Sequence, residues 1–195
     1  MGPRANTAPS RQEEILAAAA RLFATRGYHG VGIDDIGSAV GVSGPALYRY
    51  FASKETILAR MLVDISERLL AGGAQRVERI GTAAAADPLA ALRALVAFHV
   101  QFALDHPELI TVHDRDLDNV EAEQRRRVRR LQRGYVEIWV RALGAYRPEL
   151  AEQTARAAVH AVLGLLNSTP HSLRLERPAM AALLERMALA ALGAG

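Results

Sequence analysis

Apolar residues recur every three or four positions along most of this 195-residue chain, which is the spacing of one buried face of an α-helix. Alanine and leucine fill most of these positions, and both residues favour helices. Runs of β-branched residues, which favour strands, are short. The pattern therefore predicts an all-α protein without a β-sheet.

Capping residues mark the ends of the first predicted helices. Ser10 and Glu13 have the spacing of a capping box, so the first helix is predicted over residues 11–26. Two short helices are predicted next, over residues 33–40 and residues 44–51, because apolar residues in both follow a helical spacing. The chain is thus expected to begin with three helices.

Glycine and proline divide the rest of the chain. A fourth helix is predicted to begin at Lys54 and to kink or stop at Gly72-Gly73, since glycine destabilises a helix interior. Proline fits the first turn of a helix but not its interior, so prolines open or interrupt the later helices. These are predicted over residues 88–106, 107–113, 119–143, 148–166 and 178–192, after an alanine-rich connection at residues 81–87.

The last two predicted helices are apolar on nearly every side. A helix of this kind has to be buried on every side, which in a chain of this size indicates a subunit interface. We therefore expect a two-fold homodimer packed through small residues, namely Ala157, Ala161, Gly164, Ala182 and Ala190.

Composition narrows the class of protein. Half of the residues are hydrophobic, enough for a sizeable core, and the absence of cysteine excludes disulfides and thiolate metal sites. Residues 1–9 lack the apolar core of a secretion signal and are expected to form a disordered arm of a cytoplasmic protein. Polar or charged residues interrupt the longest apolar runs, so no membrane span is predicted. The formal net charge of +3 permits nucleic-acid binding without requiring it.

The two short helices are joined by Gly41-Val42-Ser43, an arrangement typical of a helix-turn-helix whose second helix enters the DNA major groove. Several further positions agree with this interpretation in both identity and spacing. Over about residues 10–60 the chain resembles the head of TetR-family repressors. The residues that carry the resemblance are Gly27-Tyr28, Ile33-Asp34-Asp35-Ile36, Gly41-Val42-Ser43-Gly44-Pro45-Ala46-Leu47-Tyr48-Arg49-Tyr50-Phe51 and Ser53-Lys54-Glu55.

The resemblance implies that the recognition helix corresponds to residues 44–50, and that Leu47 and Phe51 face inward. Arg49 suits a bidentate contact with a guanine edge, whereas the neighbouring tyrosines and the family's phosphate-binding lysine set the register. The predicted DNA-binding residues are Ser43, Gly44, Pro45, Ala46, Tyr48, Arg49, Tyr50 and Lys54.

Two positions depart from the pattern of the family. Gly44 has no side chain where many relatives carry a polar residue that contacts bases, and Asp34 places a carboxylate where a hydrogen-bond donor is common. Direct base contacts are therefore expected to be few, with Ala46 touching a thymine methyl group and DNA shape supplying further selectivity.

The resemblance also implies an effector cavity among the C-terminal helices. Polar and aromatic residues on the inward faces are candidates to line it, although most interior aromatics only pack the core. The expected ligand is a small amphipathic molecule, such as an acyl compound. The predicted effector-binding residues are His99, Phe102, Tyr135, Trp139, Asn167 and Arg130.

Six arginines lie between Arg125 and Arg133. One interpretation is a solvated helix face, in which Glu121 and Glu123 each pair with the arginine four residues later. The other is that one or two arginines, such as Arg129 or Arg130, hold an anionic part of a ligand.

No cofactor, metal or catalytic group is predicted. Residues 114–125 begin like a calcium loop but have Asn119 at the sixth position and Arg125 at the twelfth, in place of glycine and glutamate. His99, His106 and His113 recur every seven residues, but a proline should break their common face. Since no convergent set of acid, base and nucleophile is visible, an enzyme is not expected.

These observations predict a ligand-responsive transcriptional regulator, most simply a repressor that leaves its operator when a ligand binds. Residues 1–9 form the arm, residues 10–54 the DNA-binding domain, and residues 55–195 the effector-binding and dimerisation domain. As a homodimer, the protein is expected to bind a palindromic operator in double-stranded DNA. The alternative is a helical interaction protein that does not bind DNA.

Overall fold

The computed structural model describes residues 10–81 and 87–194, and within these ranges every regular element is helical, which confirms the all-α prediction. The predicted arm and residues 82–86 of the predicted connection lie outside the described residues. The helices are α1 (Arg11–Arg26), α2 (Ile33–Ala39), α3 (Gly44–Leu47), α4 (Lys54–Ile80), α5 (Pro88–Asp105), α6 (Pro107–Asp116), α7 (Ala122–Tyr146), α8 (Glu152–Leu166), α9 (Thr169–Ser172) and α10 (Arg177–Ala191), with a 3-10 turn at Leu117–Asn119.

The helix starts in the first half of the chain follow the predicted caps. The Ser10 hydroxyl accepts from the Glu13 amide at 3.3 Å, and the Glu13 carboxylate accepts from the Ser10 amide at 2.7 Å, which completes the capping box. Ser53 caps α4 through the Thr56 amide at 3.2 Å. Capping residues satisfy amide groups that have no partner inside the helix, so these starts could be located from sequence.

The predicted break at Gly72-Gly73 is wrong, because α4 continues through both glycines to Ile80. The two glycines are positions of close packing. A Cβ atom at Gly72 would collide with the Phe98 ring, and one at Gly73 would lie 2.7 Å from Cε2 of Tyr135. Tertiary packing against α5 and α7 therefore offsets the low helix propensity of glycine here.

Other boundaries also differ from the prediction. The predicted recognition helix is shorter than expected, because α3 ends at Leu47. Hydrogen-bonded turns continue the chain to Phe51, and in one of them the Tyr50 amide donates to the Leu47 carbonyl at 2.9 Å. The helix expected from residue 148 begins at Glu152, because a turn joins Arg147 to Leu150 first. The short helix α9 was not predicted. Such short turns carry little periodic signal.

Two hydrophobic cores are joined by α4. The head core lies among α1–α3 and the first part of α4, and it also includes Val112 of α6, Val120, and Val128 of α7. The second core lies among α5, α7, α8 and α10, and its largest fully buried side chain is Trp139. The head therefore packs directly on α6 and the start of α7.

Helix α5 lies at the centre of the second core. Among the described residues it is the one helix long and apolar enough to span a membrane, a property that buried core helices share. It packs against α4, α7 and α10, and Leu92, Leu95, Val96 and Val100 are fully buried. Its apolar character is thus explained by its place in the bundle.

Within one chain, α8 and α10 are buried on one side only, so the predicted burial of their other side would require a partner subunit. The buried side of α8 holds Ala155, Val159, Val162 and Leu166. The five small residues expected at a subunit interface are all exposed: Ala157, Ala161, Gly164, Ala182 and Ala190. That interface stays a prediction, and the surface it requires is free in the single chain.

Candidate functional site

The turn between α2 and α3 is closely packed. Gly41 adopts a φ of 71°, which favours glycine, and the Val42 amide donates to the Gly37 carbonyl at 2.9 Å. A Cβ atom at Gly37 would lie 2.7 Å from the Val42 carbonyl oxygen, so a larger residue would push the two helices apart. Local backbone geometry thus fixes α3 relative to α2.

The end of α3 projects three side chains outward. Tyr48 is 55% exposed and Tyr50 is 38% exposed, although large aromatic side chains are usually more buried. Arg49 between them is exposed, and no described side chain pairs with it. Leu47 and Phe51 are buried in the head core, as expected. This tip presents hydroxyl groups and one guanidinium, the groups that bind phosphates and guanine edges.

The two departures from the family pattern lie against each other. Gly44 is buried, and a Cβ atom there would collide with Oδ1 of Asp34. The Asp34 carboxylate therefore occupies the space that a side chain at position 44 would need. Ser43 caps α3 through the Ala46 amide at 3.4 Å, while Pro45 is exposed in the first turn. Of these residues, Ser43 and Pro45 are exposed and Ala46 is half-buried.

The ammonium group of Lys54, the predicted phosphate-binding residue, is hydrogen-bonded within the protein. Its Nζ donates to the carbonyls of Tyr28 at 2.9 Å and Val31 at 2.8 Å, and it lies 4.3 Å from the centre of the Tyr28 ring. The Tyr28 hydroxyl donates to Glu55 at 2.8 Å, and burial, together with this bond, raises the pKa of Tyr28. Two donors of the ammonium are thus used to join α4 to the loop before α2, and one is left.

A cavity of about 280 Å³, open at one end, lies between α4, α5, α6, α7 and α8. Four of the six predicted effector residues line it: His99, Phe102, Tyr135 and Asn167. Its apolar wall includes Ile65, Leu69, Leu109, Ile110, Val136 and Leu163. The volume is near the lower end of the range for small-molecule sites, roughly 300–1,000 Å³.

A chain of hydrogen bonds crosses the inner end of the cavity. Nδ1 of His99 lies 3.1 Å from the Tyr135 hydroxyl, and Nε2 lies 2.9 Å from Oδ1 of Asn167. Burial lowers the pKa of His99 to about 4, so the imidazole is neutral at pH 7. Burial also raises the pKa of Tyr135, so its hydroxyl keeps its proton. The inner end is polar but uncharged.

Two predicted effector residues lie elsewhere. Trp139 is fully buried in the second core, with its ring 6.1 Å from those of His99 and Tyr135, centre to centre, and is not part of the cavity wall. Its Nε1 has no hydrogen-bond partner in the described part of the chain. Arg130 is exposed on α7 and is also absent from the wall. Trp139 follows Tyr135 by one helical turn, so spacing alone could not separate a core residue from a lining residue.

Sequence reasoning missed several polar residues at the outer end of the cavity. His113 bonds to both Gln132 and Asp114, and His160 lies on the exposed side of α8. In the sequence, His113 stands out only by its spacing of seven residues from His106 and fourteen from His99. It lies in α6, which extends to Asp116, and it lines the cavity.

The arginine-rich part of α7 is a charged, exposed face. Arg125 and Arg129 approach Asp118 at 3.5 and 3.7 Å, and Arg127 pairs with Glu67 of α4 at 2.6 Å. The predicted pairs with Glu121 and Glu123 are not formed. The acidic partners come from the preceding turn and from another helix, which helical spacing alone does not reveal.

Comparison with known proteins gives two family matches. The model of bacterial regulatory proteins of the TetR family matches residues 15–61, and that of a tetracyclin repressor-like C-terminal domain matches residues 85–171. The HTH-type transcriptional repressor NicS of Pseudomonas putida is 32% identical over 111 residues, which cover 57% of this chain and 50% of NicS. The chain therefore matches only half the length of that relative.

A second relative is matched over most of its length. The HTH-type transcriptional regulator EthR of Mycolicibacterium smegmatis is 28% identical over 175 residues, covering 90% of this chain and 76% of EthR. Among solved structures, a TetR-family transcriptional regulator from Bordetella parapertussis superposes with a TM-score of 0.81, at 24% identity, covering 93% of this chain and 95% of that one. This likeness supports the fold.

Proposed function

Because the chain belongs to the TetR family and is a helix-turn-helix transcriptional regulator rather than an enzyme, we propose that it is a dimeric repressor which a small amphipathic ligand releases from a palindromic operator. The observation that carries the proposal is the presence, in one chain, of an outward-facing recognition tip on the head and of a cavity in the second domain, with α6 packing against α1 of the head and also lining the cavity. The proposed site of action is the cytoplasm, where the DNA lies.

In this proposal Arg49 reads a base, and the tyrosines on either side of it bind phosphates. A free guanidinium at the end of a recognition helix suits the O6 and N7 atoms of guanine. The Tyr48 and Tyr50 hydroxyls suit phosphate oxygens, which fix the position of the head without reading sequence. Lys54 acts mainly by holding the head together, and its third N–H donor can bind a phosphate of the DNA backbone.

The exposed small residues of α8 and α10 support a homodimer. Ala157, Ala161 and Gly164 lie on one side of α8, and a Cβ atom at Gly164 would meet no other atom within 4 Å. Small side chains allow two helices to approach closely over an apolar contact. A dimer through this surface would place two heads for successive major grooves, about 34 Å apart.

Helix α6 offers a physical connection between ligand and DNA. Ile110 and His113 line the cavity, whereas Val112 is buried in the head core. Arg115 of the same helix donates to the backbone carbonyl of Phe23 in α1. A ligand that displaces α6 would therefore move the head. The domain boundary at residue 54 stays a prediction, because α4 begins there and contributes residues to both cores.

The test is a gel-shift titration of the protein with its own upstream DNA at two salt concentrations. A sequence-specific complex that weakens as salt rises is expected, because binding releases counterions from phosphates. A competitor of unrelated sequence separates specific from general binding. If no specific, salt-sensitive complex forms, the repressor proposal fails and the helical interaction protein becomes the better description.

A further inference from the structure

The described wall of the cavity is polar but contains no permanently cationic side chain. Among the described residues that line it there is neither lysine nor arginine. The Asp114 side chain lies at the outer end of the cavity, next to His113, and is 64% exposed. Arg68 and Arg76 line a neighbouring pocket, which shares Ile65, Leu69 and Phe102 with the cavity. An anionic group inside the cavity would therefore find no lysine or arginine in the wall, and besides the buried His99 only His113 and His160, at the outer end, are basic groups of the described lining.

The direction of the hydrogen bonds across the inner end follows from the neutral imidazole. Oδ1 of Asn167 can only accept, so Nε2 of His99 carries the proton and donates to it. Nδ1 then has only a lone pair, and the Tyr135 hydroxyl must donate to it. The chain runs from Tyr135 through His99 to Asn167.

This direction leaves two groups free to meet a ligand. The Tyr135 oxygen keeps a lone pair, because its proton is used toward His99. The Asn167 amide nitrogen keeps two donors, and no described residue accepts from it. A hydroxyl can donate to the first group, and a carbonyl can accept from the second. His99 is not a cationic partner for an anionic ligand, since a pKa of about 4 leaves roughly one imidazole in a thousand protonated at pH 7.

We propose that the cavity selects an uncharged molecule of the alcohol, ester or amide class, whose polar atoms bond to Tyr135 and Asn167 and whose apolar part packs against Ile65, Leu69 and Val136. This inference rests on the proposed function for its biological meaning, and it narrows the ligand class of the same cavity. At about 280 Å³, and with roughly 30 Å³ for each water in the liquid, the cavity holds the volume of about nine waters. Short probe molecules therefore fit this volume.

Four six-carbon probes test whether the cavity prefers uncharged ligands. They are 1-hexanol, hexanamide, hexanoate and hexylamine, all at pH 7. Fluorescence of Trp139, the only tryptophan, reports binding because its ring contacts those of His99 and Tyr135. The alcohol and the amide are expected to bind at least about tenfold more tightly than the carboxylate and the amine, since an unpaired charge is costly to bury. Thermal shifts should follow the same order.

Two conservative variants connect the preference to the proposed groups. Tyr135→Phe and Asn167→Leu should each weaken hexanamide and hexanol toward the affinity of the charged probes, while Gln75→Ala, at an exposed position on α4, should leave all four affinities unchanged. Circular dichroism establishes that each variant is folded. Should Asn167→Leu fail to fold, Tyr135→Phe, which removes one oxygen atom, decides the matter.

Equal or tighter binding of hexanoate overturns the proposal, and so does failure of both uncharged probes to bind. Tighter binding of hexylamine would assign the site to cations through Asp114 instead. These titrations contain no DNA. A protein that prefers the uncharged probes yet keeps its operator would contradict the proposed function alone, whereas one that releases DNA with hexanoate would contradict the ligand class alone.

Discussion

At the scale of single residues, Lys54 and Arg49 are two basic side chains proposed to bind DNA, and their surroundings differ. Lys54 donates to two backbone carbonyls, whereas Arg49 is exposed and has no described partner. The family pattern in the sequence places both at DNA. It could not show that one of them also holds the head together, because the carbonyls of Tyr28 and Val31 carry no signature in the sequence.

Arg49→Ala should relax base preference at one position of each half-site, at a cost on the order of 1–3 kcal/mol in binding to the preferred operator. Lys54→Met should weaken all DNA sequences alike and also lower the melting temperature, since it removes two charge-assisted hydrogen bonds. Selection of binding sites from random DNA and thermal melting separate the two effects. A lysine variant with changed base preference and unchanged melting would reverse these roles.

Gly44 and Asp34 form a second residue-scale pair, because the Asp34 carboxylate lies where a Cβ of residue 44 would be. Gly44→Ala should change the stability of the head by no more than about 1 kcal/mol, because the exposed Asp34 side chain can rotate away from the new methyl group. In an Asp34→Ala background the same change should be neutral or stabilising, since alanine has the better helix propensity. Urea denaturation of the four proteins gives the coupling energy, and strictly additive effects would show that the two sites are independent.

At the scale of helices, capping and periodicity located most starts correctly, whereas glycine misled. Glycine lowers helix propensity, but it also lets helices approach closely, and the sequence does not say which effect decides. In α4 the rings of Phe98 and Tyr135 occupy the space beside Gly72 and Gly73. These contacts come from residues far along the chain, so the continuous helix could not be predicted.

Gly73→Ala tests this explanation against a matched glycine. Its Cβ would lie 2.7 Å from the Tyr135 ring, so the change should destabilise the fold by about 1–3 kcal/mol despite the better helix propensity of alanine. Gly144→Ala in α7 meets no atom within 4 Å and should stabilise by up to about 1 kcal/mol. Chemical denaturation measures both. Stabilisation by both variants would remove the packing role of Gly73.

Helical spacing predicted part of the cavity wall. His99 and Phe102 of α5 and Tyr135 of α7 lie on the inward stripes that helical spacing identifies, and all three line the cavity. Trp139 lies on the same stripe as Tyr135 but packs deeper, in the core. Spacing gives the face of a helix, whereas the depth of a residue depends on how neighbouring helices pack.

At the scale of the whole molecule, the predicted dimer surface and the cavity share part of α8. His160 and Gly164 line the cavity and are also exposed, on the side that carries Ala157 and Ala161. A partner subunit on this side would cover the outer end of the cavity. Ligand affinity is therefore expected to depend on dimerisation.

Ala161→Glu should yield monomers in sedimentation experiments, since a charge cannot be accommodated in a closely packed apolar contact. The residue is exposed in the single chain, so the variant should fold. Gln75→Glu, at an exposed position of α4, adds the same charge and should remain dimeric. An unchanged dimer mass for Ala161→Glu would mean that the subunits meet through a different surface.

Ligand binding and operator binding are expected to be coupled, because both depend on the positions of the two heads in the dimer. The recognition helices of a dimer must lie about 34 Å apart to enter successive major grooves, so a small movement of α4 or α6 is enough to prevent binding. A ligand that prefers the mismatched arrangement by about 2 kcal/mol would lower operator affinity roughly thirty-fold. Linkage requires operator DNA to weaken ligand binding by the same factor. Hexanol titrations followed by Trp139 fluorescence, with and without operator, measure this directly. Identical affinities would show that the cavity and the heads are not coupled, and the protein would then bind its operator regardless of ligand.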